Sequence, residues 1–256
     1  MAEAEAAVAC AEQMRAAAGS NAAAVLAVGG GFAVYCGANS PVTQAVGLGL
    51  NGPVSKEEFD RLEEFYFCRK EPVRAETCPL VDASLMEHYR DRGYFVTEFS
   101  NVMVRPVEKT EMAAANGIEI QRVGDDEIEL WTLAVAQGFA ENYPVTQELL
   151  EVMKLFASGK NTECFLARIN GQVAGGGTLA ARGRIAGLFG ASTLPGFRGR
   201  GVQTALLQAR MRRARELGCE LAMSLAQPGS ASQRNITRQG FRTLYTRVKF
   251  ERQLVV

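Results

Sequence analysis

Histidine is almost missing from this 256-residue chain, in which His88 is the only one. The six cysteines are scattered, and no two of them form a Cys-x-x-Cys pair. Because zinc sites of the Cys/His type need clustered ligands, the composition argues against such a site, and we expect no bound metal. Dispersed cysteines are also typical of a reducing compartment.

The sequence also lacks net charge and long apolar runs. Its 28 basic residues balance 28 acidic ones. The net charge therefore creates no electrostatic field that favours nucleic acid or a membrane surface as a partner. No apolar run approaches the ~18 residues of a membrane-spanning helix. The acidic residues 1–5 do not resemble a secretory signal, and we therefore expect a cytoplasmic protein.

What the chain does contain is an ordinary globular composition, 47% hydrophobic and 22% charged. Its length suits one large or two small domains. A local basic cluster, Arg210, Arg212, Arg213 and Arg215, is predicted to be a solvated helix face.

The most informative stretch is residues 193–207. An apolar run at 185–192 predicts a buried strand, and Val202, Ala205 and Leu206 begin a helical apolar face. Gly199 and Gly201 in the intervening turn allow close approach to the backbone. The unpaired amides of a helix start favour an anion. This pattern predicts a diphosphate cradle, with a plain strand-to-helix connection as the alternative. Neither a P-loop nor a G-x-G-x-x-G fingerprint is present.

The same stretch resembles the acyl-CoA loop of the GNAT (general N-acetyltransferase) superfamily, Gln/Arg-x-x-Gly-x-Gly/Ala. Arg198 occupies the first position and Gly201 the fourth, whereas Gln203 replaces the usual Gly or Ala. Residues 228–235 resemble the second coenzyme helix of the family, and Gly240-Phe241 its closing pair. The resemblance covers about residues 117–250.

The resemblance implies an α+β fold with a mixed, mostly antiparallel sheet flanked by helices. It also implies acetyl-CoA as cofactor, with coenzyme A as product. Pantetheine is expected between the strand that precedes the cradle and a second strand at 220–225. The implied coenzyme contacts are Ser192, Thr193, Leu194, Arg198, Gly199, Arg200, Gly201, Val202, Gln203, Thr204, Ser232 and Asn235.

The implied reaction is transfer of an acetyl group to a primary amine of a small molecule or peptide by direct attack. Many family members carry a tyrosine where this chain has Ile236. Asn235 and Tyr245 are therefore the catalytic candidates, and Glu163 is a candidate water-relayed base. An acyl-CoA sensor without turnover and a purely structural relative are the alternatives.

Aromatic residues on two predicted helices are candidates for the acceptor pocket by the same resemblance. They are Trp131, Phe139 and Tyr143, with Phe156 on the second helix. Packing in the core is the alternative role for each.

The first half of the chain predicts a helix at 3–18 followed by hairpin, strand, helix, strand, helix and strand, which resembles a shortened GNAT core. At the cradle position it has Leu50-Asn51-Gly52-Pro53-Val54-Ser55, and Pro53 removes an amide. The sequence thus predicts a tandem protein: a degenerate GNAT-like domain at 1–108, a linker at 109–116 and an acetyltransferase domain at 117–256. An unrelated α+β domain is the alternative for the first half. We expect a monomer with pseudo-dimeric halves or a homodimer.

Overall fold

A computed structural model describes residues 23–38, 40–108, 117–139, 145–159 and 161–254, together with positions 8, 9, 11, 12 and 14. The predicted linker at 109–116 and most of the helix predicted at 3–18 lie outside these residues. The chain forms two compact units. The first unit comprises Met1–Asn101 and Tyr245–Val256, and the second comprises Val102–Leu244.

This division differs from the domain boundaries predicted from the sequence. Residues 245–256, predicted to end the second domain, belong to the first unit, and residues 102–108 belong to the second. The difference arises because strand periodicity shows which residues are extended but not which strand they pair with.

The first unit contains a sheet with the strand order β1-β2-β3-β4-β11-β5. Its elements are β1 (Ala24–Val28), β2 (Gly31–Tyr35), β3 (Gln44–Val46), α1 (Lys56–Phe67), β4 (Val73–Thr77), α2 (Ala83–Asp91), the first part of β5 (Phe95–Pro106) and most of β11 (Arg242–Arg252). Strands β3 and β4 are parallel, whereas β1–β2, β2–β3 and β4–β11 are antiparallel.

Helix α1 begins with a capping box. Ser55 Oγ accepts a hydrogen bond from Glu58 N at 3.2 Å, and Glu58 Oε2 accepts one from Ser55 N at 3.1 Å. This reciprocal capping box satisfies two backbone donors. The apolar face of the helix buries Phe59, Leu62 and Tyr66 in the core of the first unit.

The second unit carries helices on both faces of a sheet with the order β5-β10-β9-β8-β7-β6. Its elements are β6 (Glu119–Arg122), α3 (Ile128–Phe139), α4 (Gln147–Ala157), β7 (Thr162–Ile169), β8 (Gln172–Arg182), β9 (Ile185–Thr193), α5 (Val202–Glu216), β10 (Leu221–Ala226) and α6 (Ala231–Arg238). Strands β6 to β9 pair antiparallel, and β9 and β10 are parallel. The predicted mixed α/β architecture is confirmed.

Three consecutive glycines of β8 allow close packing on this sheet. A Cβ on Gly176 would lie 2.9 Å from Trp131 Nε1 of α3, and one on Gly177 would lie 3.0 Å from the guanidinium carbon of Arg210 in α5. Successive strand residues face opposite sides of a sheet. The glycines therefore admit one large side chain from each covering helix.

Among the helices that the structure describes, none is long and apolar enough to cross a membrane.

Candidate functional site

The candidate site lies where β9 and β10 stop pairing. Their parallel ladder runs from Ile185–Leu221 to Leu188–Ser224, whereas β9 continues to Thr193. Ser224 Oγ donates to Leu188 O at 2.9 Å at the last pair. Gly190, at φ 56°, lies in a register shift between β8 and β9, and such bulges bend a strand. The strands therefore separate towards their carboxyl ends, where α/β sheets commonly bind ligands.

The loop after β9 leads into an uncapped helix start. A short 3-10 turn, Pro195–Phe197, is followed by Gly199 at φ 73° and Gly201 at φ 84°. Gly201 is the N-cap of α5 and supplies no side-chain hydrogen bond, and the first turn contains no acidic residue. The first amides of α5 therefore lack the side-chain acceptor that usually satisfies them.

The space around these two glycines is open. A Cβ on Gly199 would meet nothing within 4 Å, and one on Gly201 would have Ile118 Cδ1 as its neighbour at 3.8 Å. Uncapped amides at the positive end of the dipole of a 15-residue helix, next to accessible backbone, suit a diphosphate. The residues present thus fit the diphosphate of an acyl-CoA.

Arg198, predicted to contact phosphate, is exposed and also bonds to two backbone carbonyls. Its Nη2 donates to Gly138 O at 3.1 Å and its Nε to Thr193 O at 3.4 Å. The guanidinium therefore ties the loop to the carboxyl end of α3 and to the end of β9. Arg200 is exposed, and its guanidinium carbon lies 5.4 Å from the centre of the Phe197 ring.

Several other predicted coenzyme contacts form hydrogen bonds within the protein, through a side chain or through a backbone amide. Ser192 Oγ donates to Val135 O at 2.9 Å, and Gln203 Nε2 donates to Thr193 Oγ1 at 2.8 Å. The amide of Leu194 donates to Ala174 O at 2.9 Å and is thereby committed to β8.

The remaining loop positions differ in exposure. Val202 is buried in the core, so its backbone is the part that can meet a ligand, whereas Thr204 is half-buried.

Helix α6 follows β10 and presents polar side chains to solvent. Ser230 is its N-cap and accepts from Gln233 N at 3.1 Å. Ser232 and Asn235 are exposed, and Asn235 Oδ1 accepts from Arg238 Nη1 at 3.3 Å. Capping thus belongs to Ser230 rather than to Ser232.

The predicted acceptor-pocket residues separate into different environments. Trp131 has no exposed surface and belongs to the core between α3, α4 and the sheet. Its assignment to a pocket wall is therefore corrected to core packing. Phe139 is half-buried at the edge of the same core, Phe156 packs edge-on against Phe189 with ring centres 5.3 Å apart, and Tyr143 lies outside the described residues.

Glu163, the candidate base, is engaged in an ion pair. Arg213 Nη2 and Nε lie 2.7 and 2.9 Å from its two carboxylate oxygens, and Arg122 lies at 3.6 Å. Hydrogen bonds from Arg213 hold the pKa of Glu163 below its ordinary value. Arg213 is eleven residues after Val202, or about 16 Å along α5 at 1.5 Å per residue. This position at the far end of the helix argues against a role as base.

Two further residues lie where the sequence did not place them. Tyr245, predicted to act beside the cradle, belongs to the first unit and lines a cavity there. Arg210, predicted on a solvated face, is only 3% exposed, and its Nη1 donates to Thr178 O at 3.2 Å. Burial lowers the pKa of Arg210 to about 10. Gly177, which leaves room for this side chain, is the sequence signal that could have revealed it.

The described residues contain no cluster of three metal-ligating side chains.

Comparison with known proteins finds similarity mainly in fold. Residues 128–241 match the acetyltransferase (GNAT) family, and no curated protein matches the chain. A GCN5-related N-acetyltransferase from Kribbella flavida has a TM-score of 0.70 at 15% identity, covering 96% of this chain and 94% of that one. A tandem GNAT protein from the clavulanic acid biosynthesis pathway has a TM-score of 0.58 at 13% identity, with coverages of 95% and 87%. A functionally unknown conserved protein from Staphylococcus epidermidis has a TM-score of 0.59 at 15% identity, with coverages of 84% and 86%.

Proposed function

We propose, from the match of residues 128–241 to the acetyltransferase (GNAT) family, that the second unit transfers an acetyl group from acetyl-CoA to a primary amine of a small molecule or peptide. The observation that carries this proposal is the uncapped start of α5 beside the separating ends of β9 and β10. The diphosphate of the coenzyme would meet the backbone amides of residues 199–204. Arg200 would add a charge-assisted contact from the rim.

The helix start at the equivalent place in the first unit supports a single coenzyme site. Ser55 and Glu58 cap α1, and the first turn also contains Glu57. The capping oxygens already accept backbone hydrogen bonds, and the acidic side chains repel an anion. We therefore assign acyl-CoA binding to the second unit alone.

In the proposed reaction the amine nitrogen forms a bond to the thioester carbonyl carbon, and the carbon–sulfur bond breaks. The nitrogen loses a proton and the departing sulfur gains one. The chain contributes mainly by holding the two reactants together, which can supply much of such a rate enhancement. The exposed side chains of Asn235 and Ser232 on α6 are proposed to contact the coenzyme near its sulfur.

The second candidate function is acyl-CoA sensing without turnover. Ile236, which stands in place of the tyrosine of many family members, is half-buried against the core of the second unit and has no proton to donate. This feature favours a binding protein, and turnover decides between the two functions.

The test combines binding with thiol release. Acetyl-CoA is titrated into the full-length protein by calorimetry, and release of free thiol is then followed with a panel of primary amines. An acetyltransferase releases thiol only when an acceptor amine is present. Binding without acceptor-dependent release supports the sensor, and absence of binding contradicts both functions.

A matched pair of variants at the two ends of α5 tests the cradle. Gly201→Val should weaken acetyl-CoA binding at least about tenfold, because the added side chain shields the first amides. Gly218→Val places the same side chain at φ 76° in open space at the other end of the helix and should leave the affinity within about twofold. Equal losses in the two variants would show that backbone strain, not the cradle, is responsible.

A further inference from the structure

The first unit contains a cavity at the carboxyl ends of its parallel strands. Strands β3 and β4 pair from Ala45–Ala75 to Val46–Glu76, and the cavity opens beyond the last pair. It has about 50 Å³ of interior space and is partly open to solvent. The crevice beyond the carboxyl ends of parallel strands is a common ligand position.

One side of the cavity is aliphatic. Val46, Leu48, Leu50 and Val81 line it, and Val46 and Leu48 also belong to the buried hydrophobic residues of the chain. Such a wall favours an aliphatic group of a ligand, since burying apolar surface is favourable in proportion to its area.

The other side of the cavity holds an ion pair. Arg247 Nη1 lies 2.6 Å from Glu76 Oε2, and the two side chains are only 13% and 9% exposed. Lys249 Nζ lies 3.8 Å from Glu76 Oε1 and 3.1 Å from Glu98 Oε2. Arg247 and Glu76 both line the cavity, so its wall offers a positive and a negative group side by side. Tyr245 adds its phenol to the lining.

Neither half of this lining suits a phosphate-bearing ligand. Helix α1, the next helix after β3, is capped by its own Ser55 and Glu58, and Glu76 contributes a negative charge to the cavity wall itself. A ligand carrying one positive and one negative group matches the ion pair better. A ligand with a charge of only one sign would lose its hydration beside the buried ion pair without full compensation, which costs free energy.

We propose that this cavity binds a free aliphatic α-amino acid. Its carboxylate pairs with Arg247 and its ammonium with Glu76, which gives a ring of four alternating charges. Its aliphatic side chain lies against Val46, Leu48 and Val81. The cavity shares no lining residue with the acyl-CoA cradle and gives the first unit a binding role of its own.

The ligand half of the test uses the full-length protein without any coenzyme. L-leucine, N-acetyl-L-leucine and L-leucinamide are titrated by calorimetry. N-acetyl-leucine lacks the ammonium and leucinamide lacks the carboxylate, so each should bind at least about tenfold more weakly than leucine. Equal affinity for the three compounds, or no binding of leucine, overturns the proposal.

The protein half of the test uses two ion pairs of the same sheet. Arg247→Met should weaken leucine binding at least about tenfold. Arg74 forms a comparable pair with Glu251 at 3.2 Å, at side-chain exposures of 22% and 14%, but does not line the cavity. Arg74→Met should therefore retain leucine affinity. Retained binding in Arg247→Met, or equal loss in both variants, overturns the proposal. Acetyl-CoA is absent throughout, so the result is independent of the proposed transferase activity.

Discussion

At the residue scale, Arg198 shows how a motif position can hold the loop of a site in place. Its guanidinium spans Gly138 O and Thr193 O, and both acceptors are backbone carbonyls at the ends of elements. Gly138 itself has no room for a side chain, because a Cβ would lie 2.2 Å from Ser192 Oγ. Loop, helix and strand end therefore meet at one point, and Arg198 joins them.

A comparison of Arg198→Gln with Arg200→Gln separates positioning from direct contact. Arg198→Gln should weaken acetyl-CoA binding about three- to tenfold by loosening the loop. It should change the dependence of affinity on salt less than Arg200→Gln does, since its guanidinium is held by two backbone carbonyls. Arg200→Gln should reduce that salt dependence, because an exposed charge at the rim is screened by ions. Calorimetry over a range of ionic strengths measures both effects, and a salt dependence reduced as much in Arg198→Gln as in Arg200→Gln would contradict the positioning role.

Glu163 gives a prediction on pH at the same scale. Arg213 holds the folded-state pKa of Glu163 below its ordinary value of 4.5. A depressed pKa contributes stability that is present above the unfolded pKa and is lost as pH falls through the folded one. Wild type should therefore unfold at a higher temperature than Glu163→Gln at pH 7, and the difference should shrink below about pH 4. Thermal unfolding followed by circular dichroism tests this, and a difference that is constant with pH would refute it.

At the element scale, the first turns of α1 and α5 differ in capping. Helix α1 satisfies its first amides with Ser55 and Glu58, whereas Gly201 gives α5 no side-chain cap. An uncapped start gives up stability, and binding of an anion can recover it. The contrast locates the coenzyme function in the second unit.

The cap of α1 can be tested directly. Ser55→Ala should lower the free energy of unfolding by about 1 kcal/mol, the usual contribution of such a cap. It should leave acetyl-CoA affinity unchanged, because α1 takes no part in coenzyme binding. Urea denaturation and calorimetry provide the two measurements, and a loss of coenzyme affinity would assign a coenzyme site to the first unit as well.

These elements also show what the sequence could predict. The capping box of Ser55 and Glu58 is local, and so is the strand–glycine–helix pattern ending at Gly201. Both follow from neighbouring residues alone. The burial of Arg210 and the core position of Trp131 depend on the glycines of β8, which are far away in sequence. No local periodicity reveals such packing.

At the scale of the whole molecule, the first unit is built from both ends of the chain. Residues 245–252 of β11 belong to it, and β11 pairs with β4 from Arg252–Val73 to Val248–Thr77. Phe250 of this strand stacks on Tyr89 of α2 with ring centres 4.5 Å apart. The sequence analysis assigned these residues to the other domain, because pairing between distant segments leaves no local signal.

Truncation tests this assignment. A chain ending at Leu244 lacks β11, one of the two partners of β4, so the amides of Val73–Thr77 that bond to β11 should lose protection from hydrogen exchange. Strands β7 and β8 of the second unit should keep theirs, since they pair with each other. A chain ending at Gln253 retains β11 and is the control. Equal exchange of β4 in the two truncated proteins would contradict the assignment.

Because β11 lies late in the sequence, the first unit cannot be completed until the second unit has been translated. Residues 102–244 must be translated between Asn101 and the final strand, which takes roughly 7–30 s at ~5–20 residues per second. During that interval the nascent amino-terminal unit has an open edge on β4, where β11 will pair. A chaperone that shields that edge would reduce aggregation during synthesis.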